Sequence, residues 1–520
     1  MIYCGQFFSK RLVSLGRFLT EKFATIGTQR WVSVCLLGAV LLVNSMSLYP
    51  ELAVSRVDLN DNVFHYGLAQ GFVESLEVHE NPFNHWYAQW GFGYRVLRTY
   101  QPLPTALVAS AYFALAKHVD LMTVFVWVRY LALVLLPASF YGCAWLFGLG
   151  DLGAAAAAVL SPLISSPGLY GIEYGSFVWA GSGLFTQLIA VHFFLWTIGF
   201  AMRGRWRIAG DLLALTFLSH FMYGLMGAMT ITLLRPKNAW KSGLLAAALC
   251  SFQLWMLWTD HALINHSRWE PAWKWSSFGM SQIVTWLVTG ELLDHGRLPV
   301  LSLLALTACL AWRHNYPLNL IAGFWLVAYF GWSWLDFLPQ HRFIGAVQVF
   351  LVLLAAVGLS QLWTQGLGKM GPVPVFLMSG LLLFPMLSER AQYLRNNAEW
   401  GAINRQAYEQ NEGSINAALA IAKARGGRGY AGLPATWGGA FKVGSVPFYA
   451  FLSIAEIPSV GMLYHSMSKP SDNMYLFDER KLSDYRLCNV RTVVTPRGKI
   501  VAPFLKSLGI IGPFELWAVP

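Results

Sequence analysis

The sequence predicts a polytopic α-helical membrane protein with about 11–13 spans or re-entrant helices, followed by a small C-terminal α+β domain outside the membrane. Three observations predict it. The 520 residues are 56% hydrophobic and only 12% charged, whereas soluble proteins carry about twice that charge. Several separate apolar runs reach the length needed to cross a hydrocarbon core. From Glu389 onward charge rises, and short β-type runs appear at 429–433, 490–495 and 514–519 behind a helical stretch at 398–425.

In chain order, residues 1–30 read as a basic segment on the cytoplasmic face. Phe7, Phe8, Leu12, Leu15, Leu19 and Phe23 recur at helical spacing between Lys10, Arg11, Arg17 and Lys22, as in an interfacial helix. A first apolar run at 31–49 leads outward by the positive-inside rule and has the length of an uncleaved anchor, with Pro50 as its expected end. The transmembrane domain is expected over 31–388, with a large outer loop at 50–100 and an extracytoplasmic domain at 389–520. In the outer loop His79, His85, Trp86, Tyr87, Trp90 and Tyr94 suggest helices lying at the membrane interface.

Arg203, Arg205 and Arg207 mark a later cytoplasmic turn, so the net charge of +11 fits inner loops and anionic lipid rather than nucleic acid. Whether the 103–116 run crosses is open at this level. The six cysteines show no metal-type spacing and no disulfide framework. No Gly-rich phosphate loop, Ser-His-Asp arrangement or HExxH motif is evident.

The candidate chemistry clusters on the outer face. Asp58, Asp61 and His65 fall within eight positions just after the first run. If the segment after Asn60 is helical, Asp61 and His65 share one face, a turn apart. Such carboxylates either cap a helix or serve as a general base for an acceptor hydroxyl. Which of the two aspartates would be the base depends on where the helix starts. Glu173 lies in a Gly/Tyr-rich outer turn, as an interfacial or a functional glutamate. His220 sits between two apolar runs, where a packed histidine is the common outcome. His341 and Arg342 begin a late span. A guanidinium there suits phosphate oxygens, or snorkels to headgroups.

These stretches resemble the GT-C superfamily of integral-membrane glycosyltransferases. The residues that carry the resemblance are the acidic stretch from Asp58 to Gly67 and Tyr100-Gln101-Pro102-Leu103, similar to a Tyr/His-Pro-Pro-Leu element. To these are added Leu338-Pro339-Gln340-His341-Arg342-Phe343, similar to a Pro-x-x-Arg-Phe element, and the tail run Tyr485-Arg486-Leu487-Cys488-Asn489-Val490-Arg491-Thr492-Val493-Val494. The last two look like the branch described as 6-pyruvoyl-tetrahydropterin-synthase-related membrane proteins.

The resemblance implies a GT-C-like fold and an inverting transfer of a sugar from a polyprenyl-phosphate donor to a lipid-linked, polysaccharide or protein acceptor. By position it implies Asp61 or Asp58 as base, Arg342 with His341 at the donor phosphate, and Glu173, His65, His220 and Tyr100 around the substrate. No cofactor is certain. A divalent cation (Mg or Mn) would fall to Asp58, Asp61 and Glu173, although Asn62 stands where the superfamily's acidic pair has its second carboxylate. A bacterial inner membrane is the expected setting. The alternatives are a lipid-linked sugar flippase and a non-catalytic assembly protein.

Overall fold

The computed structural model describes residues 27–53, 61–89, 91–264, 278–311, 315–330, 339–461 and 469–520. Its frame is set by two antiparallel helices, α1 (Thr28–Leu48) and α4 (Leu121–Phe147). Near the start of α1, Ser33 donates to the Tyr141 hydroxyl (2.9 Å) and to the Asp151 carbonyl. Near its end, Asn44 donates to the Leu133 and Val134 carbonyls, and Ser45 meets Tyr130. Thus α4 begins at the end of the bundle where α1 finishes. The chain passes Pro50 in a short 3-10 turn, Tyr49–Ala53, rather than stopping at it.

The described residues between those two helices stay at that same end. They include α2 (Asn62–Glu77) and α3 (Leu103–Ala114), and Lys117 just past α3 pairs with Glu77 at 2.7 Å. The question left open at 103–116 is therefore answered: α3 does not cross the bundle, and its 12 residues span only about 18 Å.

The bundle continues with α5 (Gly150–Leu160), α6 (Phe185–Met202), α7 (Trp206–Ser219) and α8 (Phe221–Leu234). Next come α9 (Pro236–Leu249) and α10 (Ser251–Thr259), bent by 66° at their junction. Then follow α11 (Met280–Thr289), α12 (Val300–Leu310), α13 (Tyr316–Phe330) and α14 (Ile344–Met370). The alanines at 154–158 are wholly buried, so α5 packs tightly against α1, α4 and α14. Small residues allow this approach where lipid supplies no hydrophobic drive.

Among the described residues five helices are long and apolar enough to cross a membrane: Gln29–Ala53, Leu121–Phe147, Phe185–Met202, Gln340–Met370 and Pro372–Arg425. The bent α9–α10 pair would make a sixth, and six apolar helices of 10–17 residues complete the set. The predicted runs thus divide between full spans and shorter helices. The 18-residue apolar window of Gln340–Met370 is 94% buried, and residues 343–359 are buried throughout, which makes it the bundle's central helix. At the end of the bundle opposite the α1 terminus, Arg203 caps the Trp145 carbonyl and Arg235 the Met202 carbonyl.

The last helix, α15 (Pro372–Arg425), has 54 residues, about 80 Å at 1.5 Å per residue. The 388/389 boundary expected from composition lies inside it. Beyond α15, β1 (Arg428–Tyr430) is followed by a hairpin of β2 (Lys442–Val443) and β3 (Val446–Pro447), then α16 (Phe448–Ile454) and α17 (Leu482–Leu487). With β4 (Val490–Pro496), β5 (Lys506–Ile511) and β6 (Phe514–Ala518), β1 forms a sheet of order β1-β4-β6-β5, only the β1–β4 pair being parallel. The sequence pattern showed β1, β4 and β6. It missed β5, whose residues are almost all exposed and whose register shifts at Gly509 (φ +125°), leaving no two-residue alternation to read.

The outer loop and the C-terminal sheet share one core. Val63, Phe64, Leu68 and Phe72 of α2 cluster with Ile415 and Ala418 of α15 and with Phe441, Phe448 and Phe514. Tyr87 and Tyr94 are buried in this cluster, and the Tyr87 hydroxyl donates to the Leu68 carbonyl at 3.0 Å. These aromatics were expected at a membrane interface. They fill a protein core instead, because a ring with one polar tip suits either setting once the tip finds a partner. Trp86 stays exposed, and Trp90 lies outside the described residues.

Candidate active site

Asp61 occupies the N-cap position of α2, but its carboxylate makes no capping hydrogen bond. Capping by Asp61 is therefore not how this side chain is used. The His65 N–H donates to the Asp61 carbonyl at 3.1 Å, placing the two a turn apart as expected. The His65 ring is buried and stacks on Tyr100 at 6.1 Å between centroids, with Phe185 at 5.7 Å. The Tyr100 hydroxyl lies 3.5 Å from Thr186 Oγ1. Burial pushes the Tyr100 phenol above its ordinary range; the Thr186 bond opposes this, Asp61 adds to it and Arg342 opposes it again. Asp58 lies outside the described residues.

Arg342 arrives from the other end of the sequence, in the 3-10 turn Gln340–Phe343 that opens the central helix. Its guanidinium lies over the Tyr170 ring, 4.8 Å from the centroid, and donates from Nη1 to Gln187 Oε1 at 3.2 Å. Gln187 is itself pinned, donating through Nε2 to the Tyr170 and Gly171 carbonyls at 2.9 and 2.6 Å. His341 is buried edge-on against Tyr170, 6.0 Å between centroids. The guanidinium and the first N–H groups of α14 thus lie at the same end of the central helix, where a helix favours anions.

The charge that acts most strongly on Arg342 is Asp61; Tyr170, Tyr100 and Tyr223 follow. His220 lies within the electrostatic reach of Arg342. Tyr100, His220 and Arg342 are each part-buried.

Glu173 is buried in the loop between α5 and α6, so it is an internal glutamate rather than an interfacial one. Its Oε1 accepts from Ser176 Oγ at 2.9 Å and from the Gly171 N–H at 3.3 Å. Its Oε2 has no hydrogen-bond partner among the described residues, nor have the Tyr223 and Tyr329 hydroxyls or His220 Nδ1. The charge of Glu173 acts on both tyrosines. The Tyr223 hydroxyl lies beside Gln187 without reaching hydrogen-bond geometry. Buried polar atoms left this way cost about 1–3 kcal/mol each, which a polar ligand group could offset.

Two ionic nodes, one buried and one part-buried, hold the Glu173 loop. Glu51 is 1% exposed, pairs with Arg129 at 3.0 Å and accepts from the Trp179 N–H at 3.0 Å and from Asn397 of α15. Asn397 in turn accepts from the Ala180 N–H at 2.7 Å. On the other side Glu389 of α15 accepts from Ser165, Tyr174 and Arg297 at 2.8, 2.7 and 2.5 Å. Sequence reading missed Glu51, Tyr170, Gln187, Tyr223 and Tyr329. Only Gln187, a lone amide inside an apolar run, gave a local signal.

Among the described residues no group of three or more His, Cys, Asp or Glu is placed to hold a metal ion. Of the Asp58, Asp61 and Glu173 set, Asp58 lies outside the described residues.

No family model matches the chain, and no curated protein sequence matches it. Solved structures do. The Archaeoglobus fulgidus oligosaccharyltransferase matches as an apo form and as a complex with Zn and sulfate. It matches also as a form tethered by a disulfide bond to an acceptor peptide containing the NVT sequon. Each comparison gives a TM-score of 0.51 at 12% identity and covers 88% of this chain. The share of the archaeal chain covered is 69, 68 and 69% for the peptide-tethered, Zn and sulfate, and apo forms. At that identity the likeness is one of fold. The chain thus shares its fold with that archaeal enzyme, in a sequence with several membrane-length apolar helices.

Proposed function

We propose that the chain is an inverting GT-C glycosyltransferase acting on a polyprenyl-phosphate sugar, with the α1-terminal end of the bundle facing outward and the basic turns facing the cytoplasm. The observation that supports this is that Asp61, from the outer segment, lies within electrostatic reach of Arg342, which opens the central helix and is held by Tyr170 and Gln187. The fold shared with an oligosaccharyltransferase supports it. The donor class rests on the motif resemblance.

In this reading the donor phosphate sits against Arg342, with His341 and the first N–H groups of the central helix nearby, and its prenyl chain runs between spans. Asp61, or Asp58 in its place, takes the proton of an acceptor hydroxyl. That oxygen's lone pair forms the new bond to the anomeric carbon. The bond from that carbon to the phosphate oxygen breaks, and its electron pair leaves on the phosphate. One displacement inverts the configuration. The charge gathering on the departing phosphate is met by a guanidinium fixed in advance by Tyr170 and Gln187, the arrangement that lowers a barrier without reorganisation. Glu173 Oε2 and the Tyr223 and Tyr329 hydroxyls offer an acceptor and donors to sugar hydroxyls.

The test is glycan transfer in membranes carrying Asp61→Asn or Asp58→Asn separately. One variant should lose transfer, and full activity in both would remove the assignment. The same assay separates this reading from a flippase or assembly protein, neither of which needs a base there.

A further inference from the structure

The C-terminal domain carries a cleft of about 800 Å³ that includes neither Asp61 nor Arg342, lined by Phe92, Arg428, Asn473, Phe477, Asp484 and Asn489 among others. Ligand pockets occupy about 300–1,000 Å³, so the space is ample for one or two sugar rings. We propose that it binds a neutral oligosaccharide segment of the acceptor. The proposal rests on the transferase reading for the word acceptor, and on the cleft alone for the binding.

The chemistry of the lining selects the ligand class. Arg428 and Asp484 face the same space, so it carries no net charge. The guanidinium donates to the Ala88 and Phe92 carbonyls at 3.3 and 3.0 Å while covering the Phe92 ring at 5.4 Å, so two of its five N–H donors are committed. A peptide would need an unpaired strand edge, and the edge beside the cleft is taken: the Gly429 N–H of β1 donates to the Pro458 carbonyl, and Gly429 bridges Ser459.

What the cleft does offer is an exposed amide at Asn473 with no hydrogen bond among the described residues, and the remaining lone pairs of the Asp484 carboxylate, whose oxygens already accept from Ser483 Oγ and the Asp478 N–H at 3.0 Å each. It also has the faces of Phe92 and Phe477 and two leucines at its rim, Leu476 (63% exposed) and Leu487 (87%). Amide and carboxylate together donate to and accept from hydroxyls, and aromatic and leucine surfaces take the C–H faces of a sugar ring. Fully exposed leucines on a polar domain gain most from being covered.

The position of the cleft ties it to the transfer site. One wall, the segment ending at Phe92, belongs to the same outer segment as Asp61. That segment is clamped to the domain by Arg428, by Ser459 Oγ donating to the Gln89 carbonyl (2.9 Å) and by the core that α2 shares with the sheet. A chain held in the cleft therefore keeps a fixed register to Asp61.

Saturation-transfer NMR on the full-length protein in detergent provides the test, with chitotriose, cellotriose, maltotriose and mannotriose as probes and a sequon tripeptide as comparison. At least one trisaccharide should bind. Asn473→Ala should weaken it at least fivefold, and Leu487→Trp, which narrows the mouth from an exposed position, should abolish it. Both variants should keep the wild-type melting temperature, and Asp61→Asn should bind as wild type does. Saturation transfer to the peptide alone, to none of the sugars, or equally in Leu487→Trp would overturn the proposal. Loss of transfer in Asp61→Asn with sugar binding intact keeps the two readings distinguishable.

Discussion

Replacing Arg342 by Gln tests the anion-binding half of the site, and the structure sets the size of the effect. A guanidinium has five N–H donors, and one of the Arg342 donors is committed to Gln187. Two of the rest suffice for bidentate contact with a phosphate. Charge-assisted bonds contribute about 1.5–3 kcal/mol each, so the pair is worth about 3–6 kcal/mol, or about 10²–10⁴ in kcat/KM at 1.36 kcal/mol per tenfold. Because charge accumulates on the phosphate as it leaves, more of the loss should fall on kcat than on KM. Arg342→Lys keeps the charge but gives up the fork and the face-on packing against Tyr170. It should lose about 10–100-fold. The assay is initial-rate transfer with purified protein, paired with a thermal-shift check that each variant folds. A value for Arg342→Gln within about threefold of wild type, less than 1 kcal/mol, would refute the phosphate role.

Three further outcomes follow from neighbouring geometry. Gly171→Ala would place a Cβ 2.0 Å from Gln348 Oε1 and 2.7 Å from Glu173 Oε2. It should break the bond from the Ile172 N–H to Gln348 (2.7 Å), cost about 1–3 kcal/mol in thermal stability and depress transfer by displacing Glu173. Glu51→Ala leaves the Arg129 guanidinium buried without its carboxylate and should cost about 3–5 kcal/mol. The double variant Glu51→Leu/Arg129→Met should recover part of that loss in a melting assay, since the unpaired charge is gone. The third concerns Asp260, held below the usual carboxylate range chiefly by its bond from Arg98 (2.6 Å). A depressed folded pKa stabilises above the unfolded value near 3.9 and is lost as pH falls through the lower folded one. Wild type should therefore melt above Asp260→Asn at pH 6, and the gap should close below about pH 4.

Much of this molecule is legible in its sequence, for reasons that differ by element. The spans declare themselves by apolar length, and the site's charged residues stand out because so few charges interrupt those runs. Asp61, His65, Tyr100, Glu173, His220 and Arg342 do come together at one end of the bundle. What hides is whatever depends on packing. Glu51 follows Pro50 at the edge of an apolar run and gives no sign that Arg129, Trp179 and Asn397 will enclose it. Tyr223 and Tyr329 look like ordinary apolar-run tyrosines until the fold brings them to Glu173. Tyr87 and Tyr94 carry the composition of an interface and end in a core, since composition records polarity and not neighbours. The exposed β5 leaves no alternation at all.

The central claim is that Asp61 removes the acceptor's proton while Arg342 holds the donor. Measuring donor binding and sugar transfer side by side in Asp61→Asn tests it most directly. Donor affinity should stay near wild type, while transfer should fall by about 10²–10⁴, the usual contribution of a positioned general base. Wild-type transfer by Asp61→Asn and by Asp58→Asn alike would contradict the account.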